Sequence, residues 1–122
     1  MSSLPLTKIL GALTASYAAA VLVQPKVLAG PCELTEPGGG VSRSTAALCR
    51  AVGVRDLASG LAMVLAPTTG AARAAIAVRT ASDLGDVVVF GTSLPSRSAR
   101  MKAVVVGIVW GGLCAATALT LD

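Results

Sequence analysis

The sequence predicts an all-α protein, a four-helix transmembrane up-and-down bundle forming a single integral membrane domain over residues 1–122. Three observations predict this fold class. Hydrophobic residues make up 54% of the chain and charged residues 13%, with a mean hydropathy of +0.78, whereas soluble domains carry about 25% charged residues. One Trp, one Tyr and one Phe are the only aromatic residues, too few for the usual soluble core. The apolar residues also form four stretches, each near the roughly 17–25 residues that a membrane-spanning helix needs.

The four predicted spans cover approximately residues 6–23, 45–66, 71–91 and 101–121. The first stops at Gln24-Pro25 and the second at Pro67, because proline interrupts helical hydrogen bonding. The connection over residues 24–44 contains three prolines and a run of three glycines, which predicts a loop. Ser42 or Ser44 is placed to cap the second span. Only a short turn separates the second and third spans, so we expect them to be antiparallel neighbours.

The N-terminal segment has two interpretations. Lys8, an apolar run and small residues at 18–20 also fit a cleaved signal peptide. The apolar run is longer than a usual signal segment, which favours a retained span. The distribution of basic residues then predicts that both termini lie on the non-cytoplasmic side. The loop side of the four-span arrangement holds five of them and the side of the termini two: Lys26, Arg43, Arg97, Arg100 and Lys102 against Lys8 and Arg73.

Composition excludes several kinds of site. The chain has no histidine, which is the commonest general base and metal ligand. Its cysteines, Cys32, Cys49 and Cys114, are far apart in sequence, so no metal site and no cofactor are predicted. Cys32, in the loop, is expected to be the exposed thiol. The net charge of +4 comes without a basic stripe interleaved with aromatic residues, so nucleic acid is not a predicted partner.

The second and third predicted spans carry charged residues near their centres. Each such charge opposes membrane insertion by about 2.5–3.5 kcal/mol, so we expect arginines and aspartates to pair. Positions 79, 83 and 86 fall on one face of a helix. We expect Arg79 to meet Asp56, and Arg50 or Arg55 to meet Asp83 or Asp86. The six residues are Arg50, Arg55, Asp56, Arg79, Asp83 and Asp86.

Ionisable residues inside membranes are usually functional, and this predicts catalytic roles for part of the cluster. Asp83 and Asp86 are the candidate acid–base pair, with Arg79 and Arg55 as electrostatic partners and Asp56 orienting an arginine. The alternative is a set of structural ion pairs that fixes helix register. The candidate substrate-binding residues are Arg50, Ser59, Ser82 and Trp110, the two serines being more readily interpreted as packing hydroxyls than as nucleophiles.

The fourth span contains a Gly-x-x-x-Gly pattern at Gly107 and Gly111. Such a pattern lets two helix backbones approach closely. Two arrangements are open: packing within the bundle, or a homodimer through these glycines.

Two segments carry a resemblance to a known family: Arg50-Ala-Val-Gly53-Val-Arg55-Asp56-Leu57-Ala-Ser-Gly60 and Arg79-x-x-x-Asp83-Leu84-Gly85-Asp86. They resemble the signature of small four-span membrane proteins grouped under a domain-of-unknown-function name. The resemblance covers residues 45–120 and leaves out the first span and the long loop. It implies a four-span fold, a membrane location and a site at the shared Arg, Asp and Gly positions, but no particular reaction.

Two carboxylates and an arginine on one helix face are suited to acid–base chemistry without histidine or cofactor. The resulting hypothesis is an intramembrane hydrolase, cyclase or isomerase that acts on a lipophilic small molecule, as in secondary metabolism, by epoxide opening, cyclisation or isomerisation. The residue types are similar to the Asp–Arg–Asp arrangement of limonene-type epoxide hydrolases, which have a different fold. The alternatives are a small-molecule binding or transport protein and a non-catalytic subunit of a membrane assembly.

Overall fold

The computed structural model describes residues 4–121, and all regular secondary structure over that range is helical. Its elements are α1 (Leu4–Val23), α2 (Lys26–Ala29), α3 (Arg43–Leu65), α4 (Thr69–Ser93) and α5 (Arg97–Leu119). The four long helices coincide with the four predicted apolar stretches, so the predicted all-α class is confirmed. The predicted loop over residues 24–44 contains the short helix α2 and the first two residues of α3.

Hydroxyl side chains define where the later helices begin. Ser42, Thr68 and Ser96 precede α3, α4 and α5, each with extended backbone. Each side chain accepts a hydrogen bond from the backbone N–H three residues further along, which satisfies one of the free donors at a helix start. Ser42 is therefore the cap of α3, one of the two residues that the sequence offered for this position.

The long helices associate as two close pairs, α1 with α3 and α4 with α5, and the pairs meet mainly along α3 and α4. Glycines permit the closest approach. A Cβ atom on Gly60 would lie 2.8 Å from the backbone nitrogen of Ala15, and one on Gly11 would lie 2.6 Å from the carbonyl oxygen of Gly60. The backbones of α1 and α3 therefore touch at this crossing, as small residues allow in helix packing. Helices α3 and α4 are neighbours, as the sequence predicts.

Two helices in the described part of the chain, α1 and α5, are long and apolar enough to cross a membrane. Helices α3 and α4 carry the charged residues of the predicted cluster, which lower their mean hydropathy. Their outward surfaces are nevertheless apolar, with exposed side chains that include Leu48, Val54 and Leu61 on α3 and Val78, Leu84 and Val88 on α4. Membrane crossing by α3 and α4 stays a prediction.

Apolar side chains pack at both ends of the bundle. At the end that holds the α3–α4 turn, Met63, Ile76 and Cys114 belong to one buried cluster. At the other end, the segment between α1 and α3 folds back, so that Ala29 and Cys32 are buried. The expectation of an exposed Cys32 thiol was wrong, because its side chain packs with Leu94 and Ala99 and is only 7% exposed.

Candidate functional site

Five of the six predicted intramembrane charges form a continuous cluster in which Arg79 holds two carboxylates. Arg79, on α4, is 2% exposed. Its Nη1 donates to Asp56 Oδ1 on α3 at 2.9 Å, and its Nη2 donates to Asp83 Oδ1 on its own helix at 2.8 Å. Nε also donates to Asp83 Oδ2 at 3.3 Å. An Asp–Arg–Asp arrangement thus joins α3 to α4, and the expected contact between Arg79 and Asp56 is present.

Arg55 extends the cluster towards the loop end. Its Nη1 and Nη2 donate to the two oxygens of Asp86 at 2.9 and 2.6 Å, a two-pronged pairing. Its Nε and Nη2 also donate to Asp56 Oδ1 at 3.1 and 3.0 Å. Asp56 therefore lies between two arginines, whereas Asp83 and Asp86 are each bonded to one. The order along the cluster is Asp86, Arg55, Asp56, Arg79, Asp83.

Arg50 lies outside this cluster. Its Nε donates to the carbonyl oxygen of Leu22 at 3.1 Å on an exposed part of the surface, so it meets neither Asp83 nor Asp86. The expected balance of three arginines and three aspartates thus becomes two and three, and the fully ionised cluster has a charge of −1. Arg50 instead holds the end of α1 through this hydrogen bond.

The two candidate serines have different surroundings. Ser59 is buried, accepts a hydrogen bond from Arg79 Nη1 at 3.0 Å and donates to the carbonyl oxygen of Asp56 at 3.1 Å. It therefore positions Arg79 without lining the cavity described next. Ser82 donates to the carbonyl oxygen of Val78, one turn back on its own helix, at 2.9 Å. Neither serine lies in a position to bind a molecule in that cavity.

A cavity of about 480 Å³ lies between the two helix pairs and includes one face of the cluster. This volume is within the range of ordinary ligand-binding pockets. Asp56, Arg79, Asp83 and Asp86 form its charged wall, and most of the remaining surface is apolar. Among the described residues, no three Cys, Asp or Glu side chains are grouped as metal ligands; each carboxylate of the cluster is bonded to an arginine instead.

The three aromatic residues of the chain all line this cavity: Tyr17 on α1, Phe90 on α4 and Trp110 on α5. Trp110 Nε1 donates to Thr14 Oγ1 at 2.9 Å, joining α5 to α1 across one side of the cavity. Sequence reasoning identified Trp110 but missed Tyr17, Phe90 and Thr14. A signal existed for Phe90, because it follows Asp86 by four residues and therefore continues the charged face of α4.

Gly107 and Gly111 lie against the cluster inside the bundle. A Cβ atom on Gly107 would be 3.0 Å from the carbonyl oxygen of Asp83, and one on Gly111 would be 3.1 Å from the Asp83 Cβ. The Gly-x-x-x-Gly pattern therefore lets α5 pack against Asp83. This is packing within the bundle, the first of the two arrangements that the sequence left open. A homodimer through these glycines stays a prediction.

Comparisons with family models, with curated proteins and with solved structures returned no match. The resemblance to small four-span membrane proteins therefore stays a prediction from the two segments that carry it.

Proposed function

We propose that the chain is a four-span membrane protein with an intramembrane site for cofactor-independent acid–base chemistry on a lipophilic small molecule. The observation that carries the proposal is the fully buried Arg79 holding two carboxylates at the wall of a largely apolar cavity. Ion pairs alone stabilise a protein interior poorly compared with apolar packing. An apolar cavity with a few convergent polar groups is the usual form of a small-molecule site.

The charge of the cluster supports the acid–base role. Two arginines and three carboxylates become neutral when the cluster holds one proton, and burial disfavours an uncompensated charge. Asp83 is the best holder of this proton, because its side chain is 10% exposed and bonded to one arginine. Asp56 bonds to both arginines through Oδ1 alone and lines the cavity. The geometry therefore favours Asp56 and Asp83 as the pair, rather than Asp83 and Asp86.

Water addition to an epoxide illustrates the chemistry. Asp56 Oδ2 has no hydrogen bond within residues 4–121, so it is free to take a proton from water. The water oxygen then bonds to an epoxide carbon while the carbon–oxygen bond of the ring breaks. Asp83 gives its proton to the released oxygen, and the product is a diol. A final proton transfer from Asp56 to Asp83 restores the site. Cyclisation or isomerisation would use the same pair on a different substrate.

The opening of the cavity supports a lipophilic substrate. Helices α1 and α5 touch only slightly, and their cavity-lining residues Leu13, Tyr17 and Val106 are 53%, 47% and 66% exposed. The opening therefore lies between the two most apolar helices. In a bilayer it would face hydrocarbon, so a substrate dissolved in the membrane would enter sideways.

The arrangement in the membrane is also part of the proposal. Apolar side chains cover the outward surfaces of α3 and α4, while Arg55, Asp56, Arg79, Asp83 and Asp86 bond to one another. Internal pairing removes most of the cost of placing these charges in a bilayer. We therefore propose four spans, with both termini on the non-cytoplasmic side as the basic residues predict.

Purified protein incubated with 9,10-epoxyoctadecane in ¹⁸O-labelled water tests the proposal. We expect octadecane-9,10-diol with one labelled oxygen, detected by mass spectrometry. Asp56→Asn and Asp83→Asn should each lower the rate by at least about 100-fold, because general acid–base groups contribute about 10²–10⁴-fold. Glu36→Gln, the same carboxylate-to-amide change at an exposed loop residue, is the matched control and should retain the wild-type rate.

The contrary results are distinct. Equal rates for the wild type and both aspartate variants would show that the cluster is not catalytic. Aggregation of both variants, together with no diol from the wild type, would favour ion pairs that only hold the bundle together. Retention of a co-purified molecule by the wild type without any turnover would favour the alternative of a binding or transport protein.

A further inference from the structure

Resting on the proposed function, we propose that the substrate of this cavity is a single-chain amphiphile with a carboxylate head group, bound by Lys102. Lys102 lies near the start of α5 and lines the cavity. It is exposed, so its ammonium group lies at the rim.

Lys102 differs from the other charged residues of the cavity wall because it has no partner among the residues that the structure describes. Asp56, Arg79, Asp83 and Asp86 are each joined by ion pairs to other members of the cluster. Within residues 4–121, no hydrogen bond or ion pair involves the Lys102 ammonium. An ammonium group at the rim of an apolar cavity is suited to an anionic group that stays near water while its chain is buried.

The spacing of residues along α5 gives the distance between Lys102 at the rim and the Asp56–Arg79–Asp83 group deeper in the cavity. Lys102, Val106 and Trp110 follow at intervals of four residues and all line the cavity. Eight residues at 1.5 Å each place Trp110 roughly 12 Å further along the axis than Lys102. Gly107 and Gly111, which flank Trp110 at this depth, lie against Asp83. A head group at Lys102 would therefore place a carbon part-way along the alkyl chain at the Asp56–Arg79–Asp83 group.

Charge favours a carboxylate head group over a phosphate monoester or an amine. One lysine balances the single negative charge of a carboxylate, whereas a phosphate monoester carries about −1.5 to −2 at neutral pH. An amine would be repelled by Lys102. It could instead be attracted by the carboxylates of the cluster, which makes it the informative competitor. The net charge of −1 on the fully ionised cluster becomes zero with one bound proton, so the cluster does not require a cationic ligand.

Trp110 provides the measurement, because it is the only tryptophan and it lines the cavity. Bromine atoms quench tryptophan fluorescence on contact, so titration with 9,10-dibromostearic acid reports occupancy. The same titration is made with its methyl ester and with 9,10-dibromooctadecylamine, all in one detergent. We expect the acid to bind about tenfold more tightly than either analogue, as one charge-assisted contact allows.

Lys102→Gln should weaken binding of the acid about tenfold and leave binding of the ester unchanged. Lys102→Arg keeps the positive charge and should retain most of the wild-type affinity for the acid. Arg97→Gln is the matched control, since it removes the same charge from an exposed residue at the same end of α5 that does not line the cavity. It should leave all three titrations unchanged.

Three results would overturn the inference: equal binding of acid and ester, no effect of Lys102→Gln on the acid, or no quenching by any of the probes. Tightest binding of the amine would also overturn it and assign the cavity to cations. The probes contain no epoxide, and 9,10-epoxyoctadecane contains no head group. Failure of carboxylate recognition can therefore be distinguished from failure of acid–base catalysis.

Discussion

At the residue scale, Arg79 is the most buried member of the charged cluster. Its planar group is always charged and presents several donors in a fixed geometry. Those donors reach Asp56, Ser59 and Asp83, so one arginine orients two carboxylates on different helices. A lysine would offer a point charge at the same place and could not hold both carboxylates in this orientation.

Replacing Arg79 with methionine should therefore destabilise the protein strongly. The side-chain volume is roughly kept, but two carboxylates lose a buried partner, and breaking a buried ion pair costs about 3–5 kcal/mol. The measurement is the free energy of unfolding in mixed micelles. Arg97→Met, at an exposed position, should change it by less than about 0.5 kcal/mol. Equal stability of the two variants would contradict a central role for Arg79.

Cys32 gives a second prediction at this scale. Burial raises the pKa of its thiol above the ordinary value, with smaller contributions from Cys49 and Asp86, while Lys102 lowers it. Since the thiolate is the reactive form, alkylation of Cys32 by iodoacetamide should keep accelerating above pH 9. A cysteine introduced by Gly38→Cys in the exposed loop should level off earlier. Peptide mapping measures both rates, and equally fast modification at pH 7 would show that Cys32 is accessible.

At the scale of elements, the sequence is most informative about the helices. The helix boundaries follow closely from the lengths of the apolar stretches, from Pro25 and Pro67, and from the capping residue Ser42. The shared face of Arg79, Asp83 and Asp86 also follows from helical periodicity, which is why most of the cluster could be predicted. Periodicity places residues on faces of one helix, so it identifies which side chains are candidates for pairing.

Contacts between elements could not be predicted in the same way. Lys8 donates to the carbonyl oxygen of Val64 at 2.6 Å, Arg50 to that of Leu22, and Arg73 to that of Leu121. These bonds depend on which helix ends are neighbours, which spacing within a helix does not encode. The same reason accounts for Lys102. It belongs with Arg97 and Arg100 to a group of basic residues typical of a membrane interface, and only the packing of α5 against α4 brings it to the cavity.

Glycine substitutions test the packing between elements. Gly60→Ala should destabilise the bundle by about 1–3 kcal/mol, because the added methyl group would meet backbone atoms of α1, which cannot move like the end of a side chain. Gly85→Ala is the matched control, since among the described residues no atom beyond its own stretch of helix lies within 4 Å of the added atom. Unfolding by titration with a denaturing detergent measures both. Comparable losses in the two variants would argue against a close α1–α3 crossing.

At the scale of the whole molecule, the charged cluster explains why α3 and α4 have apolar outward surfaces although their mean hydropathy is low. Mean hydropathy counts every residue of α3 and α4 equally, whether it faces outward or towards its neighbour. Their charged side chains bond mainly to one another, while leucines and valines remain exposed. A protein in water would leave these apolar surfaces unfavourably solvated, whereas a bilayer would accommodate them.

The position of the α3–α4 turn distinguishes four spans from two. If only α1 and α5 crossed the membrane, the turn and the α1–α3 loop would lie on the same side; with four spans they lie on opposite sides. Gly70→Cys and Gly38→Cys place a thiol at each location, both exposed, and the three buried native cysteines make the wild type the blank. Labelling with a membrane-impermeant maleimide in oriented vesicles should modify the cysteine at 38 from the cytoplasmic side and that at 70 from the opposite side. Modification of both from one side would mean that α3 and α4 form a hairpin outside the bilayer, and the cavity would then open to water.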